Sequence, residues 1–497
     1  MLALVLLTGV FVYLQVFILP HTPRFASGDQ AIYLHHATRM LHGELIYRDY
    51  DHFTLPGTDL LYMALFRAFG IRMWIPQAML ILIGVCLGVL ITVASRSILP
   101  WPALLLPALL FICIPFSSYL DATHHWYSAI FAIAALAVLM NSRSSGRLAA
   151  AGVLTGLATF FTQSMVLLVL GFAIFLIWEW RRDRRPRRLL LTSEAALWAS
   201  FLATISACVA YFITAVGLKR FFYFTVVFVV KYYPADWFNN WRVYLTGRPH
   251  LHDYPSWIDI PAFGGIHVIV PGIYIFFLFW LCWSSRGIEE GLRRRLVLIN
   301  TTGFLLFLSV ASAPAYTRLY VVSIPGLMIL VWLLYSWRGG PKLMQLLWAA
   351  VLVMFIARPV FTQLRHKEFL NLPTGRTAFF EPLLYDKCAW MLQHSHPGDY
   401  YFGDHLVAFA LQLKNVGRVP FLRPTDYTRP EEVDDAVQAL DKFHVNYVAW
   451  YSGLNTETQG HRHPEGDHLD PMWAYLHRHY RPVVTFSNLD QIWERDP

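Results

Sequence analysis

Asp29 is the first carboxylate of the chain, and it follows an apolar run that ends near Pro20. A run of about 20 apolar residues is long enough to cross a membrane, so the spacing predicts that Asp29 lies at a membrane–water boundary. An ionised carboxylate there can take a proton from a substrate or bind a cation. The same spacing is explained by a structural role, in which Asp29 only caps the helix that follows it. Spacing alone favours that structural role.

A second set of polar residues lies in the segment that ends at His52. It supplies four candidate binding side chains: Arg48, Asp49, Asp51 and His52. The two carboxylates match the D-x-D pattern with which some enzymes bind a metal ion, but a pattern of three residues recurs by chance in a long chain. A polar turn is the alternative explanation of the pair, and the sequence favours it.

A third polar group lies at the exit of a later apolar segment. Asp121, His124 and His125 stand together there, and ionisable side chains at such a position are costly unless they are solvated or paired. They form either an ordinary interfacial loop or a second wall of the site that contains Asp29.

Basic residues stand at several span ends on the side predicted to carry Asp29. They are Lys219, Arg220, Lys231, Arg318 and Arg358. Arg and Lys bind phosphate oxygens, Arg in a bidentate manner, so Arg318, Lys219 and Arg220 are candidate ligands of a phosphate. The alternative for each of them is that the side chain reaches toward lipid headgroups.

The composition is that of an integral membrane protein. Of the 497 residues, 56% are hydrophobic and 14% are charged, whereas soluble domains carry about a quarter charged residues. The first apolar run has no basic start and no small-residue cleavage site, so we expect an uncleaved first span. The net charge of +8 includes six arginines within residues 181–188, between apolar segments. Such a run indicates topology rather than nucleic-acid binding. The five cysteines do not suggest a disulfide framework.

Apolar segments of suitable length predict a mainly α, polytopic protein with eleven spans. The spans are predicted at 1–20, 74–95, 100–119, 127–141, 148–162, 164–180, 193–216, 264–284, 296–313, 318–337 and 342–360. Short basic loops stay in the cytoplasm, and with eleven spans all four basic loops fall on one side. The N-terminus is then cytoplasmic and residues 361–497 are extracytoplasmic, in a plasma or bacterial inner membrane.

The residues that could do chemistry need elements to position them at the outer face. Apolar residues recur at helical spacing from Ile32 to Leu41, and Gly43 is a natural stop. We therefore predict a short helix on the membrane surface that begins beside Asp29. The dipole of this helix favours the ionised form of the Asp29 carboxylate. A second surface or re-entrant helix is predicted at 56–69, which is too short to span. Residues 21–73 and 217–263 form the large outer loops of a membrane module, 1–360.

The tail, residues 361–497, is predicted to be a small α/β domain. Helices are expected at 381–393 and 430–443, and strands at 399–402, 447–451, 482–486 and 491–493. The histidines between 461 and 468 could bind metal, but their spacing fits no standard zinc pattern, and a solvated loop explains them better.

The early loop resembles that of the GT-C superfamily, in the branch of the protein O-mannosyltransferases and lipid A aminoarabinose transferases. The residues that carry the resemblance are Gly28-Asp29, Gly43, Tyr47-Arg48-Asp49, Pro56-Gly57 and Phe69-Gly70. The segment from Ala151 to Ala158 and the stretch from Arg318 to Pro325 are also similar. Gln30 and Thr162-Gln163 depart from the pattern, since relatives often carry an acidic residue and a Lys at these places.

The resemblance implies an inverting glycosyltransferase that moves a hexosyl or pentosyl group from a polyprenyl-phosphate carrier to an acceptor hydroxyl at the outer face. Asp29 then takes the place of the catalytic carboxylate, and Asp121 that of the second outer-loop carboxylate. Arg318, with Lys219 or Arg220, would bind the phosphate. No cofactor is required, because a lipid phosphate is already a fair leaving group, and a divalent cation stays open. The expected partners are the lipid-linked sugar, membrane lipid and a glycan, lipid or protein acceptor.

Two other functions are consistent with such a chain. A transporter or flippase of a lipid-linked sugar would place ionisable residues near mid-membrane and show internal repeats. Here the charges gather at span ends and no repeat is evident, which favours the enzyme. The third alternative is a scaffold whose tail is the working part.

Overall fold

The computed structural model describes residues 1–184, 186–246, 259–283, 288–419, 421–454 and 468–497. The histidines between 461 and 467 lie outside these residues. The chain divides into two units. The first comprises Met1–Val16, Ala78–Ile213 and Phe238–Leu364, and the second Phe17–Gln77, Thr214–Trp237 and Arg365–Pro497.

The helices that fall mainly in the first unit are predominantly apolar. They are α1 (Leu2–Val16), α4 (Trp74–Ser95), α5 (Leu106–Phe111), α6 (His124–Leu139), α7 (Ser145–Phe161), α8 (Val166–Asp183), α9 (Arg187–Val216), α12 (Val243–Thr246), α13 (Asp259–Trp283), α14 (Glu290–Val310), α15 (Tyr316–Val322), α16 (Ile324–Ser336) and α17 (Gly340–Leu364). Each of the eleven predicted spans overlaps one of these helices or the bent pair that α15 and α16 form.

Length and apolar composition qualify four helices in the described residues to cross a membrane. They are Trp74–Ser95, Gln163–Asp183, Arg187–Val216 and Gly340–Leu364. The pair α15–α16 is a fifth candidate, with a bend of 61° at its break. The count of eleven spans stays a prediction, because most of the other predicted spans fall on shorter apolar helices.

A tyrosine from another helix satisfies the backbone at the break between α15 and α16. The Tyr274 hydroxyl donates to the Val322 carbonyl oxygen at 2.9 Å and accepts from the Gly326 amide at 2.9 Å. A Cβ on Gly303 would overlap the Tyr274 ring, and one on Gly326 would lie 3.1 Å from its hydroxyl oxygen. The two glycines therefore make room for the ring that holds the bend.

Charged residues of the predicted cytoplasmic loops pair with one another. Arg182 donates to Glu290 at 2.6 Å, and Arg294 contacts both Asp183 and Glu290. Arg143 lies 3.1 Å from Glu179. Three basic segments that are distant in the sequence thus share one set of acidic partners.

The second unit contains the early loop, residues 214–237 and the tail. Its helices are α2 (Gln30–Leu41), α3 (Gly57–Phe69), α10 (Leu218–Phe222), α11 (Val229–Lys231), α18 (Pro382–His394), α19 (His405–Leu411), α20 (Pro430–Lys442) and α21 (Asp470–His479). Helix α2 is the short helix predicted beside Asp29, and its placement on a membrane surface stays a prediction. The helix is buried from Gln30 to Thr38, because α3 and α19 pack against it.

The strands of the second unit form three sheets. The strands are β1 (Phe17–Ile18), β2 (Thr22–Pro23), β3 (Glu368–Leu372), β4 (Gly375–Phe379), β5 (Tyr400–Phe402), β6 (Lys414–Asn415), β7 (Tyr447–Trp450), β8 (Tyr480–Thr485) and β9 (Gln491–Arg495). The largest sheet has the order β6-β5-β7-β9-β8, in which β5 runs parallel to β6 and β7, and β9 runs antiparallel to β7 and β8. Helices α20 and α21 pack together, and their buried residues Val433, Leu440 and Met472 join Val448 of β7 in one core.

The predicted elements of the tail lie within two residues of those observed. The treatment of 361–497 as a domain by itself stays a prediction, because residues 17–77 and 214–237 belong to the same unit as the tail.

Candidate functional site

Asp29 occupies the N-cap position of α2 but does not use its side chain as a cap. The preceding Gly28 has a positive φ of 82°, a conformation that suits glycine, and it turns the chain into the helix. The carboxylate makes no capping hydrogen bond to the first turn of α2 and is exposed. The capping role that the spacing favoured is therefore not what the side chain does.

Asp29 lines a large cavity within the second unit. The cavity measures about 1480 Å³, which is ample for a sugar ring and an acceptor group. Its walls come from the start of α2, from α18 and from segments of the tail. The charged and titratable side chains that line it are Asp29, Asp236, Glu381, Lys387, Asp404, His405, Arg423, Asp426 and Asp490.

Structural contacts account for several of these charges. Lys387 donates to Asp490 at 2.6 Å, Arg423 lies 3.2 Å from Asp236, and Asp404 accepts from the Leu406 amide as the cap of α19. Asp29, Asp426 and Glu381 are exposed. Asp29 is thus one of three accessible carboxylates in the wall of this cavity.

A second cavity in the same unit, of about 580 Å³, contains the predicted residues Asp51, Lys219 and Arg220. Asp51 accepts from Arg418 at 3.1 Å and lies 3.8 Å from Arg220. Burial raises the pKa of the Asp51 carboxyl, although Arg418 opposes that shift. Arg429 also lines the cavity but pairs with Glu432. The cavity offers cationic groups to an anion, with part of their charge already balanced.

Arg48 and Asp49 form a local turn. The Asp49 carboxylate accepts from the Leu45 amide at 2.7 Å and from Arg48 at 2.8 Å. Hydrogen bonds from Arg48 lower the pKa of Asp49, with a further contribution from the Leu45 amide, although burial opposes this shift. The turn explanation therefore fits Asp49, whereas Asp51 points to the arginines. The two carboxylates of the D-x-D pattern have different partners.

His52 lies in a buried cluster with His36 and Asp59. The His36 Nδ1 atom is 3.2 Å from Asp59 Oδ1, and His52 Nε2 lies within hydrogen-bond distance of the Thr54 hydroxyl. Burial raises the pKa of Asp59 to about 6 and lowers that of His52 to about 3. Burial also holds the pKa of His36 well below its usual range. His52 itself is 4% exposed, so it belongs to the interior of this unit.

The remaining predicted residues lie in the first unit. Asp121 is buried in the turn before α6, and His124 and His125 form the first turn of that helix with their ring centroids 3.9 Å apart. Helix α15, which carries Arg318, packs against α6. Arg318 donates to the Ala313 carbonyl oxygen at 2.8 Å and to Asn239 at 3.0 Å. Burial lowers the pKa of His125, and the charge of Arg318 lowers it further.

Sequence reasoning missed three residues that these contacts involve: Arg418, His36 and Asp59. Arg418 had no signal, since its segment carries no recognisable motif and lies far from Asp51 in the sequence. Asp59 had one, because a carboxylate inside an apolar helix is costly unless it has a partner. His36 was counted among the polar positions of α2, and only the packing of α3 shows that it is buried.

No family model matches the chain, and no curated protein matches its sequence. Solved structures do match. ArnT from Cupriavidus metallidurans, bound to undecaprenyl phosphate, aligns over 99% of this chain and 96% of its own, with a TM-score of 0.62 and 13% identity. The oligosaccharyltransferase AglB from Archaeoglobus fulgidus, in complex with an inhibitory peptide and a dolichol-phosphate, covers 100% of this chain. The match takes in 74% of AglB, with a TM-score of 0.54 and 11% identity.

An apo form of the Archaeoglobus fulgidus oligosaccharyltransferase matches 90% of this chain and 69% of its own, with a TM-score of 0.51 and 12% identity. Another structure of that enzyme, solved with Zn and sulfate, has a TM-score of 0.50 and 14% identity. ArnT and the oligosaccharyltransferase are both GT-C glycosyltransferases. At these identities the likeness concerns the fold, and it confirms the resemblance seen in the early loop: this chain has the fold of the GT-C superfamily of integral-membrane glycosyltransferases.

Proposed function

We propose that this protein is an inverting glycosyltransferase that transfers a monosaccharide from a polyprenyl-phosphate carrier to an acceptor hydroxyl. The observation that carries the proposal is the exposed Asp29 carboxylate, at the N-terminus of α2 and in the wall of a cavity of about 1480 Å³. The undecaprenyl phosphate bound to ArnT and the dolichol-phosphate bound to AglB support a lipid-phosphate carrier.

Asp29 acts as the general base in this proposal. The carboxylate takes the proton of the acceptor hydroxyl, and the hydroxyl oxygen forms a bond to the anomeric carbon of the sugar. The bond between that carbon and the phosphate oxygen breaks, and the lipid phosphate leaves with the electron pair. Attack from the face opposite the phosphate inverts the anomeric configuration.

In this proposal, the other predicted residues bind the phosphate of the donor and orient the acceptor. Cationic groups stabilise the charge that develops on the leaving phosphate, and Arg318 in the first unit and Arg220 in the second are the two candidates. Asp121 orients the acceptor, the role that the resemblance implies for it. A divalent cation is compatible with this chemistry but is not needed for it.

The test is turnover of radiolabelled polyprenyl-phosphate sugars by purified protein, with candidate acceptors and with water. Asp29→Asn should lower kcat by about 100-fold or more, the typical contribution of a general base. Asp426→Asn is the matched control, because it makes the same change at another exposed carboxylate of the same cavity. Asp426→Asn should retain turnover, and both variants should keep the melting temperature of the wild type.

Retained turnover in Asp29→Asn would contradict the assignment of the base. No turnover of any lipid-linked sugar by folded wild type, across lipid, glycan and peptide acceptors, would contradict the enzyme class and favour a transporter. In the active protein, Arg318→Gln and Arg220→Gln distinguish the two candidate phosphate ligands. The variant at the true ligand raises KM for the donor or lowers kcat, and the other leaves both unchanged.

A further inference from the structure

Three metal-capable side chains converge inside the second unit, beneath the helix that starts at Asp29. His36 comes from α2, Asp59 from α3 and His52 from the segment that joins them. One ligand atom from each residue lies within 4.8 Å of the other two. All three are buried, with exposed fractions of 2% for His36, 4% for His52 and 0% for Asp59.

Hydrogen bonding within the described residues leaves this cluster incomplete. His36 Nδ1 and Asp59 Oδ1 pair at 3.2 Å, but Asp59 Oδ2 and His52 Nδ1 are buried without a hydrogen-bond partner among those residues. Buried polar atoms nearly always have a partner. A cation would satisfy both atoms, because a carboxylate oxygen and an imidazole nitrogen each offer it a lone pair.

The surroundings of the cluster also suit a metal ion. The Thr54 hydroxyl contacts His52 Nε2 and fixes the orientation of the ring, as the outer partners of metal-binding histidines do. Aromatic rings enclose the site: the Tyr50 centroid is 4.5 Å from that of His36, and the Tyr33 centroid is 5.4 Å from that of His52. The three ligands are thereby shielded from bulk solvent.

We propose that His36, His52 and Asp59 bind one divalent metal ion, with zinc as the ion that fits them. Two imidazoles and one carboxylate are a common zinc donor set, and tetrahedral zinc accepts three protein ligands with a fourth position for a water or another group. The ion links α2 to α3, so its role is to fix the helix that presents Asp29. The proposal does not depend on the glycosyltransferase activity, because it concerns metal binding alone.

The experiment measures the zinc content of purified full-length protein by inductively coupled plasma mass spectrometry. The protein is isolated through a tag without histidines, equilibrated with zinc and dialysed. We expect one zinc per chain in the wild type, and at least a tenfold loss in both Asp59→Asn and His52→Asn. Cobalt exchanged into the wild type should give the visible absorption bands of a tetrahedral site, and neither variant should show them.

Two controls test whether zinc binds elsewhere. His42→Asn changes an exposed histidine at the end of the same helix, and the combined change of His461, His463 and His468 to Asn removes the cluster of histidines in the tail. Both proteins should keep one zinc per chain. Loss of zinc in the tail variant, with full occupancy in Asp59→Asn and His52→Asn, would overturn the proposal.

Wild-type protein provides the decisive measurement if the buried variants do not fold. Removal of metal with a chelator should lower the melting temperature, and zinc, but not magnesium, should restore it. A wild type that holds less than a tenth of an equivalent of zinc after equilibration, with the same melting temperature before and after chelation, would also overturn the proposal.

Discussion

Asp29 shows how far a single residue can be interpreted from sequence. Its place just outside an apolar run and at the start of a helix was predicted correctly, because both depend on neighbouring residues. The cavity in front of it was not predictable, because its other walls come from residues about 200 to 460 positions further along the chain, such as Asp236, Asp426 and Asp490. Local patterns do not encode such distant contacts.

The same limit applies to the other predicted site residues. Arg220 and Asp51 could each be singled out as a charged group near a membrane boundary. Their common neighbour Arg418 lies in the tail, and nothing in its own segment indicates that it closes an ion pair with Asp51. Charge type can be predicted from the sequence, whereas charge balance follows only from the fold.

At the residue scale, we predict that Asp490→Asn destabilises the protein in a pH-dependent way. Asp490 binds Lys387 at 2.6 Å and the Ser452 amide at 2.8 Å, and both charged residues are buried. Burial alone would raise the pKa of Asp490, but the bonds from Lys387 and the Ser452 amide outweigh it and lower the pKa. Breaking such a buried pair costs roughly 3 kcal/mol.

The sign of the pH dependence follows from that lowered pKa. The ionised carboxylate stabilises the fold above the unfolded pKa of about 3.9, and this contribution is lost as the pH falls through the folded value. The difference in melting temperature between wild type and Asp490→Asn should therefore be full at pH 7 and shrink near pH 3. A difference that stays constant across this range would rule out the ion pair as its cause. Asp426→Asn serves as the control at an exposed carboxylate.

Helices and strands were predicted better than contacts. Two tail helices, α18 and α20, and four strands of the tail were predicted to within two residues of their observed bounds. The hairpin of β3 and β4 was missed, since residues 368–372 read Glu-Phe-Leu-Asn-Leu and do not alternate between polar and apolar side chains. Helix α19 was also missed, because its seven residues are nearly all apolar and buried, so they show no helical period.

At the element scale, helices α7 and α9 approach each other closely at Gly152. A Cβ at this position would overlap the Leu197 carbonyl oxygen and the Ser200 hydroxyl, and helices in membranes associate through such small residues. We predict that Gly152→Ala lowers the melting temperature, with a cost of about 1–3 kcal/mol for overpacking. Gly146→Ala is the matched control in the same helix, since nothing lies within 4 Å of its added Cβ. Equal melting temperatures for the two variants would contradict the close approach.

The bend between α15 and α16 leads to another prediction at this scale. Tyr274→Phe removes the hydroxyl that serves both Val322 and Gly326, and few waters reach the interior of a membrane protein to replace it. We expect a loss of about 2 kcal/mol, the cost of leaving buried backbone groups unpaired. The measurement is the melting temperature in detergent, with Tyr335→Phe, an exposed tyrosine on α16, as the control. A loss of the same size in both variants would contradict the specific role of Tyr274.

At the scale of the whole molecule, the mainly helical fold was predicted from composition together with the lengths of the apolar segments. A chain with 56% hydrophobic residues has to bury them in apolar helices, and each predicted span does overlap a helix. The number of spans and the orientation depend on where a bilayer lies, which helix bounds do not decide.

The predicted topology can be tested by labelling single cysteines in a variant without the native ones. Ser145→Cys and His396→Cys are both at exposed positions, on segments predicted to be cytoplasmic and extracytoplasmic. A membrane-impermeant maleimide added to intact cells should label His396→Cys, and it should label Ser145→Cys only after permeabilisation. The reverse pattern would show that the orientation is inverted, and the same labelling of both cysteines in intact cells would show that a span between them has been misjudged.

The contact between Tyr274, Gly303 and Gly326 has a consequence for the evolution of the whole membrane unit. A side chain at position 303 would overlap the ring, and one at position 326 would crowd its hydroxyl group, so the two glycines matter only if the ring is present. Substitutions at the three positions are therefore not independent. Homologous chains should either keep the trio together or replace it together, and a lone alanine at position 303 should be tolerated only where position 274 has already become small. The three residues that fix the direction of α16 should therefore change together during evolution.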